Sequence, residues 1–209
     1  MRRLALAAAF LAFAAPAFAQ PAQNTLRIGL TADPDVLDPA LGRTLVGRMV
    51  FSSLCDTLID YDEKLEFVPR LAQSWDWSND GKALTLRLRL DLRSPFIPLL
   101  AQLADRGGMV VNAKPSEAAG TEFGRNPICA GPYRFAERIA QDRIVLQRFD
   151  RHWERDQYHF ERVVYLPIPD ATVRQANVQA GSVEVVERIL PPDLPNARRD
   201  RRLKLAAAV

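Results

Sequence analysis

Histidine, cysteine and long apolar runs are scarce in this 209-residue sequence, and each scarcity excludes a class of function. The two histidines, His152 and His159, lie too far apart for a helical metal pair, and no cysteine or carboxylate cluster completes a site. A Gly-x-Ser-x-Gly nucleophile elbow is absent, which argues against a secreted hydrolase. The residues therefore predict no enzyme, no metal and no cofactor.

The one long apolar run lies at the amino terminus, where Arg2 and Arg3 precede Leu4–Phe18 and a small-x-small site ends at Ala19. These three regions are typical of a secretory signal peptide, and the run is shorter than the ~20 residues of a membrane span. We predict a signal peptide over residues 1–19, cleaved after Ala19. Because no cysteine follows that site, a free periplasmic protein is expected rather than a lipoprotein.

Charge is also unremarkable, since 48% hydrophobic and 25% charged residues fit an ordinary globular fold. The formal net charge of +3 includes Arg2 and Arg3, so it implies no nucleic-acid partner. The basic run 198–202 is read as a solvated helix end, with a basic patch as the alternative.

Only two cysteines are present, Cys55 and Cys129. In an oxidising compartment paired thiols tend to be joined, so we predict a Cys55–Cys129 disulfide, whose long loop contributes about 4 kcal/mol. Two separately buried thiols are the alternative. A catalytic cysteine would need a histidine brought near by the fold, such as His152 or His159.

Hydrophobic periodicity and turn residues predict an α/β fold with a mixed sheet and flanking helices. Alternation predicts a first strand and a later hairpin, and capping residues mark a β-α-β unit in which Asp170 begins the helix and Gly181 ends it. The predicted elements are strand 25–30, helix 44–58, hairpin 133–149, strand 163–166, helix 171–180 and strand 183–186.

The middle of the chain is predicted from weaker patterns. Leucines alternate with polar residues from Leu84 to Leu92, which indicates a long strand after the Asn79-Asp80-Gly81 turn. The remaining predictions are a helix over 96–104, a brief strand over 109–111, a loop over 114–124 with room for one helical turn, and a last strand over 203–207.

Two residue sets allow both a structural and a functional interpretation. Asp33, Asp35 and Asp38 are close enough to suggest calcium, but without the glycine and closing Glu of a calcium loop they are expected to cap turns and helices. The three tryptophans, Trp75, Trp77 and Trp153, are expected to be core or subdomain anchors rather than ligand platforms.

Several separated motifs, in one order, resemble the solute-binding proteins of ABC importers, specifically the dipeptide/oligopeptide/nickel-binding class of extracellular solute-binding protein family 5. The resemblance covers nearly all of residues 25–209. The motifs are Leu37-Asp38-Pro39, 69–75, Gly131-Pro-Tyr-Arg-Phe135, 143–149, His152-Trp153, 165–170, 172–174 and 181–184.

The resemblance implies one partial lobe of a two-lobe periplasmic-binding-protein fold over residues 20–209. Thr85–Arg89 runs directly into Asp91–Phe96, so we expect an internal deletion near 89–95 that fuses two strands into one, and a missing second lobe. Hinge closure of two lobes traps the solute in this class, so a shortened chain is expected to be impaired. A non-binding periplasmic remnant or interaction module is the alternative.

The resemblance also implies a site and partners. Counted from Leu37-Asp38-Pro39, the candidate ligand-binding residues are Arg43, Thr44 and Leu45, with Glu187 and Arg188 after the β-α-β unit. The implied partners are a small peptide or related solute and the ABC permease subunits of the inner membrane.

Overall fold

The protein is described here by a computed structural model, which covers residues 24–206 apart from residues 81, 87, 88, 93 and 97. The side chains of residues 89–91 are not described. The predicted signal peptide lies outside the described residues. Within the described ranges, no helix is long and apolar enough to cross a membrane.

The described residues form two sets of regular elements. The strands are β1 (Thr25–Leu30), β2 (Ile59–Tyr61), β3 (Phe67–Pro69), β4 (Asp76–Trp77), β5 (Ala83–Thr85), β6 (Arg89–Asp91), β7 (Tyr133–Ile139), β8 (Arg143–Arg148), β9 (Arg162–Pro167) and β10 (Val185–Val186). The helices are α1 (Leu45–Leu54), α2 (Leu99–Leu103), α3 (Ala113–Ala119), α4 (Ala171–Ala180) and α5 (Leu194–Arg199).

The main sheet has five strands in the order β10-β1-β9-β8-β7. β1 pairs in parallel with both β9 and β10, whereas β8 is antiparallel to both β9 and β7. The chain crosses from β9 through α4 to β10, which places β1 between the two strands of the β-α-β unit. These pairings confirm the predicted mixed α/β fold, the 133–149 hairpin and the β-α-β unit.

The caps of α4 match the sequence signals. The Asp170 carboxylate accepts a hydrogen bond from the Val173 N–H at 2.9 Å, and Gly181 ends the helix with a φ of 73°. This is the left-handed conformation that glycine adopts at low cost.

Helix α1 packs its apolar face on the main sheet but ends earlier than predicted. Thr44 caps its amino end, and Cys55 is already extended at φ −131° and ψ 117°, so Leu54 is the last helical residue instead of Leu58. Cys55 is still buried, as predicted. The main core comprises Leu30, Leu37, Val46, Val50, Phe51, Leu54, Cys55, Tyr133, Ile144, Leu146, Val163 and Tyr165.

A second cluster of buried residues lies beneath the short strands: Ile59, Ala72, Leu84, Leu86 and Leu103. Trp75 and Trp77 pack against this second cluster and are anchors, as predicted. Trp153 is 56% exposed, so it is not a core residue, although its indole N–H donates to the buried Asp56 carboxylate at 2.9 Å.

The predicted fused strand is wrong. β5 and β6 are antiparallel partners, with Ala83 opposite Asp91 and Thr85 opposite Arg89, so the leucine-rich stretch folds back on itself. Strand β4 pairs with the other side of β5 across the predicted Asn79-Asp80-Gly81 turn, of which Gly81 lies outside the described residues. Alternation of period two fits a hairpin as well as one strand, because both keep leucines on one face.

Other elements differ from their predictions. α2 begins at Leu99, so Phe96 lies outside it and is exposed. The expected loop over 114–124 contains α3 and a 3₁₀ helix, Gly120–Arg125. Residues 109–111 make only single bridges, Thr57 to Met109 and Val111 to Cys129. Residues 203–206 are irregular rather than a strand, and residue 207 is not described.

Candidate functional site

The carboxyl ends of the parallel strands β1, β9 and β10 meet at one edge of the main sheet. Thr31, Ile168 and Glu187 follow these strands directly. In open α/β sheets ligands bind beyond this edge, because loops diverge there and leave a crevice. This carboxyl edge is therefore the first place to examine for a site.

Glu187 and Arg188 lie together at the carboxyl edge. The Glu187 carboxylate accepts hydrogen bonds from the Thr31 hydroxyl at 2.8 Å and the Thr31 N–H at 3.2 Å, and its side chain is only 10% exposed. Arg188 adopts a φ of 58°, unusual for a residue other than glycine, and its exposed guanidinium lies 3.4 Å from the other Glu187 oxygen. Glu187 thus ties two loops together, while Arg188 reaches into solvent.

Arg174 binds the backbone at the same carboxyl edge and was not predicted as a site residue. It is only 4% exposed, and its guanidinium donates to the backbone carbonyls of Ile168 at 2.6 Å, Pro169 at 2.8 Å and Glu187 at 3.2 Å. One buried cation therefore holds the loops after β9 and β10. The only sequence signal was its place in the 172–174 motif.

Arg43, Thr44 and Leu45 lie at the start of α1, where Asp35 organises the backbone. The Asp35 carboxylate accepts hydrogen bonds from the Arg43 N–H at 2.9 Å and the Thr44 hydroxyl at 3.0 Å, and the Thr44 hydroxyl oxygen accepts from the Gly47 N–H at 3.2 Å. Burial raises the pKa of Asp35, but these and neighbouring backbone hydrogen bonds outweigh it and leave the pKa below its usual value. Leu45 is 52% exposed.

The three aspartates before α1 are capping and pairing groups. Besides Asp35, Asp38 accepts a hydrogen bond from the Ala40 N–H at 2.8 Å, as predicted for turn residues. Asp33 instead forms a buried ion pair with Arg138 at 3.0 Å, which sequence reasoning missed because the partners are far apart in the chain. Among the residues described, no group of three or more His, Cys, Asp or Glu side chains could hold a metal ion.

An open groove of about 450 Å³ lies between residues 38–43 and residues 102–116. We call it the Arg106 groove, because Arg106 lines the wall opposite Arg43. Its lining includes neither Thr44 nor Leu45, and neither Glu187 nor Arg188. The structure therefore places the predicted site residues in two groups, Arg43–Leu45 and Glu187–Arg188. Their roles in binding a ligand stay predictions.

Asp56 centres a buried polar network near the amino ends of β7 and β9. Its carboxylate accepts hydrogen bonds from His152 Nε2 at 2.8 Å and Trp153 Nε1 at 2.9 Å, and pairs with Arg70 at 3.2 Å. Arg70 also pairs with Glu154 at 2.7 Å and donates to the Tyr158 hydroxyl at 2.8 Å. We call these six residues the Asp56 network: Asp56, Arg70, His152, Trp153, Glu154 and Tyr158.

The Asp56 network does not have the arrangement of an acid–base catalyst. The His152 side chain is 1% exposed, and its Nδ1 accepts a hydrogen bond from the Glu154 N–H at 3.2 Å, so Nε2 carries the proton that Asp56 accepts. Both ring nitrogens are thus occupied and shielded from a solute.

The disulfide predicted between Cys55 and Cys129 is present, with a sequence separation of 74. It joins the end of α1 to the segment that bridges Val111. Because both thiols are consumed, neither separately buried thiols nor a catalytic cysteine is present.

The family described as "Bacterial extracellular solute-binding proteins, family 5 Middle" matches residues 88–208. The chain is 21% identical over 199 residues to the glutathione-binding protein GsiB of Pectobacterium atrosepticum. This alignment covers 71% of this chain and 39% of that protein. It is 29% identical over 119 residues to the dipeptide-binding protein of Escherichia coli, covering 54% of this chain and 22% of that one.

Solved structures show the same fold. The periplasmic binding protein DppA from Helicobacter pylori, in complex with the peptide STSA, has a TM-score of 0.77 at 18% identity over 85% of this chain and 49% of its own. The murein tripeptide binding protein MppA of Escherichia coli has a TM-score of 0.76 at 17% identity over 87% of this chain and 49% of its own. This chain thus spans about half of each of these structures.

Proposed function

Because the chain belongs to family 5 of the bacterial extracellular solute-binding proteins, we propose that it is the substrate-binding component of an ABC importer, which captures a small peptide or a related solute in the periplasm. The family consists of solute-binding proteins rather than enzymes. The family match over residues 88–208 is the observation that carries this proposal.

The positions of the predicted ligand residues support the proposal. Arg43–Leu45 begin α1 beside an open groove of about 450 Å³, and small-molecule sites commonly occupy 300–1,000 Å³. Glu187 and Arg188 lie at the carboxyl edge, the usual ligand side of a parallel sheet. Backbone and side-chain hydrogen bonds hold both groups before any ligand arrives, which lowers the entropic cost of binding.

The names of the relatives suggest the class of solute. One is a glutathione-binding protein, another a dipeptide-binding protein, and a structural neighbour holds a peptide. We therefore propose that the solute is a di- or tripeptide or a glutathione-like compound, delivered to ABC permease subunits. The proposed route to the periplasm is the signal peptide over residues 1–19.

Thermal unfolding of the purified, non-reduced protein tests this proposal. A ligand that binds only the folded state raises the midpoint, and a concentration of 100 Kd contributes about 2.7 kcal/mol. We expect an upward shift with glutathione or with a pool of dipeptides, and none with a disaccharide. No shift with any peptide-like solute contradicts the proposal.

A pair of exposed leucines provides a matched control for the site. Leu45 is a predicted ligand contact, whereas Leu65 lies in the β2–β3 turn and is similarly exposed. Leu45→Ser is expected to reduce the ligand-induced shift, and Leu65→Ser to preserve it. If both variants reduce the ligand-induced shift equally, Leu45 does not contact the ligand.

A further inference from the structure

The Arg106 groove carries two arginines on opposite walls whose neighbouring carboxylates are bound elsewhere. On the first wall, Asp35 accepts hydrogen bonds from the Arg43 N–H and the Thr44 hydroxyl, and not from the Arg43 guanidinium. The Arg43 side chain extends from a loop that Asp35 has fixed, and it is exposed. The Asp35 carboxylate thus holds the backbone of this loop and does not bind the Arg43 guanidinium.

On the second wall, Asp105 precedes Arg106 but pairs with Arg48 of α1 at 2.6 Å. Asp105 therefore forms its ion pair with Arg48 rather than with its neighbour Arg106. In the part of the chain that the structure describes, no carboxylate forms an ion pair with Arg43 or Arg106. Arg106 is partly buried and lines the groove without an anionic partner among the described residues, which favours binding of an anion there.

The turn that carries Arg106 is held firmly. Residues Arg106–Gly108 form a 3₁₀ turn, and a Cβ on Gly108 would lie 1.7 Å from the Leu103 carbonyl oxygen, so only glycine fits. The Leu58 N–H donates to the Gly108 carbonyl at 3.0 Å. This turn fixes the backbone at Arg106, so the point from which its side chain extends is set before a ligand binds.

We propose that the Arg106 groove binds a carboxylate group of a small peptide-like solute, with Arg43 and Arg106 as its two cationic contacts. This inference rests on the proposed function and names the class of solute: a di- or tripeptide with an acidic side chain, or glutathione. An arginine presents a planar fork that matches a carboxylate with two hydrogen bonds, and such charge-assisted bonds are among the stronger polar contacts. Asp38 and Asp105 also line the groove, but the structure pairs them with the Ala40 N–H and the Arg48 guanidinium rather than with either arginine.

Two dipeptides that differ by a single charge provide the test. Alanyl-glutamate and alanyl-glutamine have nearly the same size and shape, so a difference in their Kd reports recognition of the side-chain carboxylate. We expect isothermal titration calorimetry with the non-reduced protein to give about tenfold tighter binding of alanyl-glutamate. The preference should weaken as salt is added, since part of it is electrostatic.

Four variants assign the preference to the groove. Arg43→Gln and Arg106→Gln are each expected to reduce it to less than threefold. Arg125→Gln is the matched control, because Arg125 is exposed and pairs with Glu122 within its own 3₁₀ helix, which does not carry Arg43 or Arg106. Asp105→Asn is expected to act in the opposite direction: it releases Arg48 and removes a negative charge from the lining, so alanyl-glutamate should bind a few-fold more tightly. A general loss of folding cannot produce effects of opposite sign.

The outcomes separate this inference from the proposed function. Binding of both dipeptides with equal affinity, or a preference that survives Arg106→Gln, overturns the groove assignment and leaves the proposed function standing. Binding of neither dipeptide nor glutathione overturns both.

Discussion

Arg70 and Arg106 are half-buried arginines whose surroundings differ sharply. Arg70 contacts two carboxylates, Asp56 and Glu154, and also donates to the Tyr158 hydroxyl and lies 5.4 Å from the Trp153 ring. Arg106 has no ion-pair partner among the residues that the structure describes. The contrast teaches that a satisfied polar network serves stability, whereas an arginine beside a groove, with no ion-pair partner among the described residues, is the one that we propose for a ligand.

The two regions are also physically connected. The Val110 N–H donates to the Asp56 carbonyl at 3.0 Å, and Asp105 and Met109 line both the Arg106 groove and a smaller cavity of about 210 Å³ beside Asp56. Substitutions can therefore test whether stability and binding divide between the two regions as we expect.

The largest effect is expected from the disulfide, which anchors both regions. Replacing both cysteines, Cys55→Ser with Cys129→Ser, should lower the free energy of unfolding by about 4 kcal/mol, because the 74-residue separation leaves a long loop open in the unfolded chain. Urea unfolding measures the loss. The unreduced and reduced native protein provide the control, and a loss below about 1 kcal/mol contradicts the prediction.

Asp56→Ala should cost about 3 kcal/mol, because His152, Trp153 and Arg70 all lose a buried partner. Asp105→Ala is the matched control. Its ion pair with Arg48 is 36% and 46% exposed, so the cost should stay below about 1 kcal/mol. If urea unfolding shows equal losses of unfolding free energy for the two variants, the Asp56 network and the Arg106 groove do not differ in their contribution to stability.

Tyr165 offers a pH test of a satisfied buried group. Burial raises its pKa to about 12, even though the Ser53 hydroxyl at 2.7 Å lowers it, and the Tyr165 hydroxyl donates to the Met49 carbonyl at 3.0 Å. The unfolded phenol ionises near pH 10, so this contribution to stability is complete below pH 10 and is lost as pH rises through about 12.

We therefore expect the native protein to lose about 2 kcal/mol more than Tyr165→Phe between pH 9 and pH 12, from that pKa difference. Urea unfolding of both proteins at several pH values measures the difference. Parallel stability curves for the two proteins would show that the phenol is not held neutral by the fold.

The smallest effect is expected at the groove side of α1. Thr44→Ala removes the cap that accepts from Gly47 and the hydroxyl that Asp35 binds, which should cost about 1 kcal/mol. Thr44→Ser retains both contacts and serves as the control. If Thr44→Ala destabilises the protein as much as Asp56→Ala, the groove side is as tightly integrated as the Asp56 network.

The sequence predicted most of the main sheet because its signals there are local. Alternation over Thr25–Leu30 and capping by Asp170 and Gly181 each act within a few residues. The prediction of one long strand for the leucine-rich stretch failed, because the period of alternation does not show where a strand reverses. The helix Ala113–Ala119 was predicted as no more than one turn within a loop, because small residues leave little hydrophobic periodicity, although several of them favour helix.

The site was only partly predictable for a related reason. Arg43 was predicted from the family resemblance, by alignment from the Leu37-Asp38-Pro39 motif; it lines a groove, and its role in binding stays a prediction. Arg106 was not predicted, because only the fold brings it together with Arg43. The Asp56 network was missed for the same reason, since Asp56 lies 96 residues from His152. The internal deletion near 89–95 and the missing second lobe stay predictions.

The disulfide also gives the molecule a covalent topology in which one part is a ring. The whole stretch from β2 to β6, with the second cluster, lies between Cys55 and Cys129, while all five strands of the main sheet lie outside it. A protease that nicks the exposed β2–β3 turn would leave both fragments attached through the bond. A single cut within the ring thus leaves the polypeptide covalently in one piece, whereas a cut within the main sheet divides it.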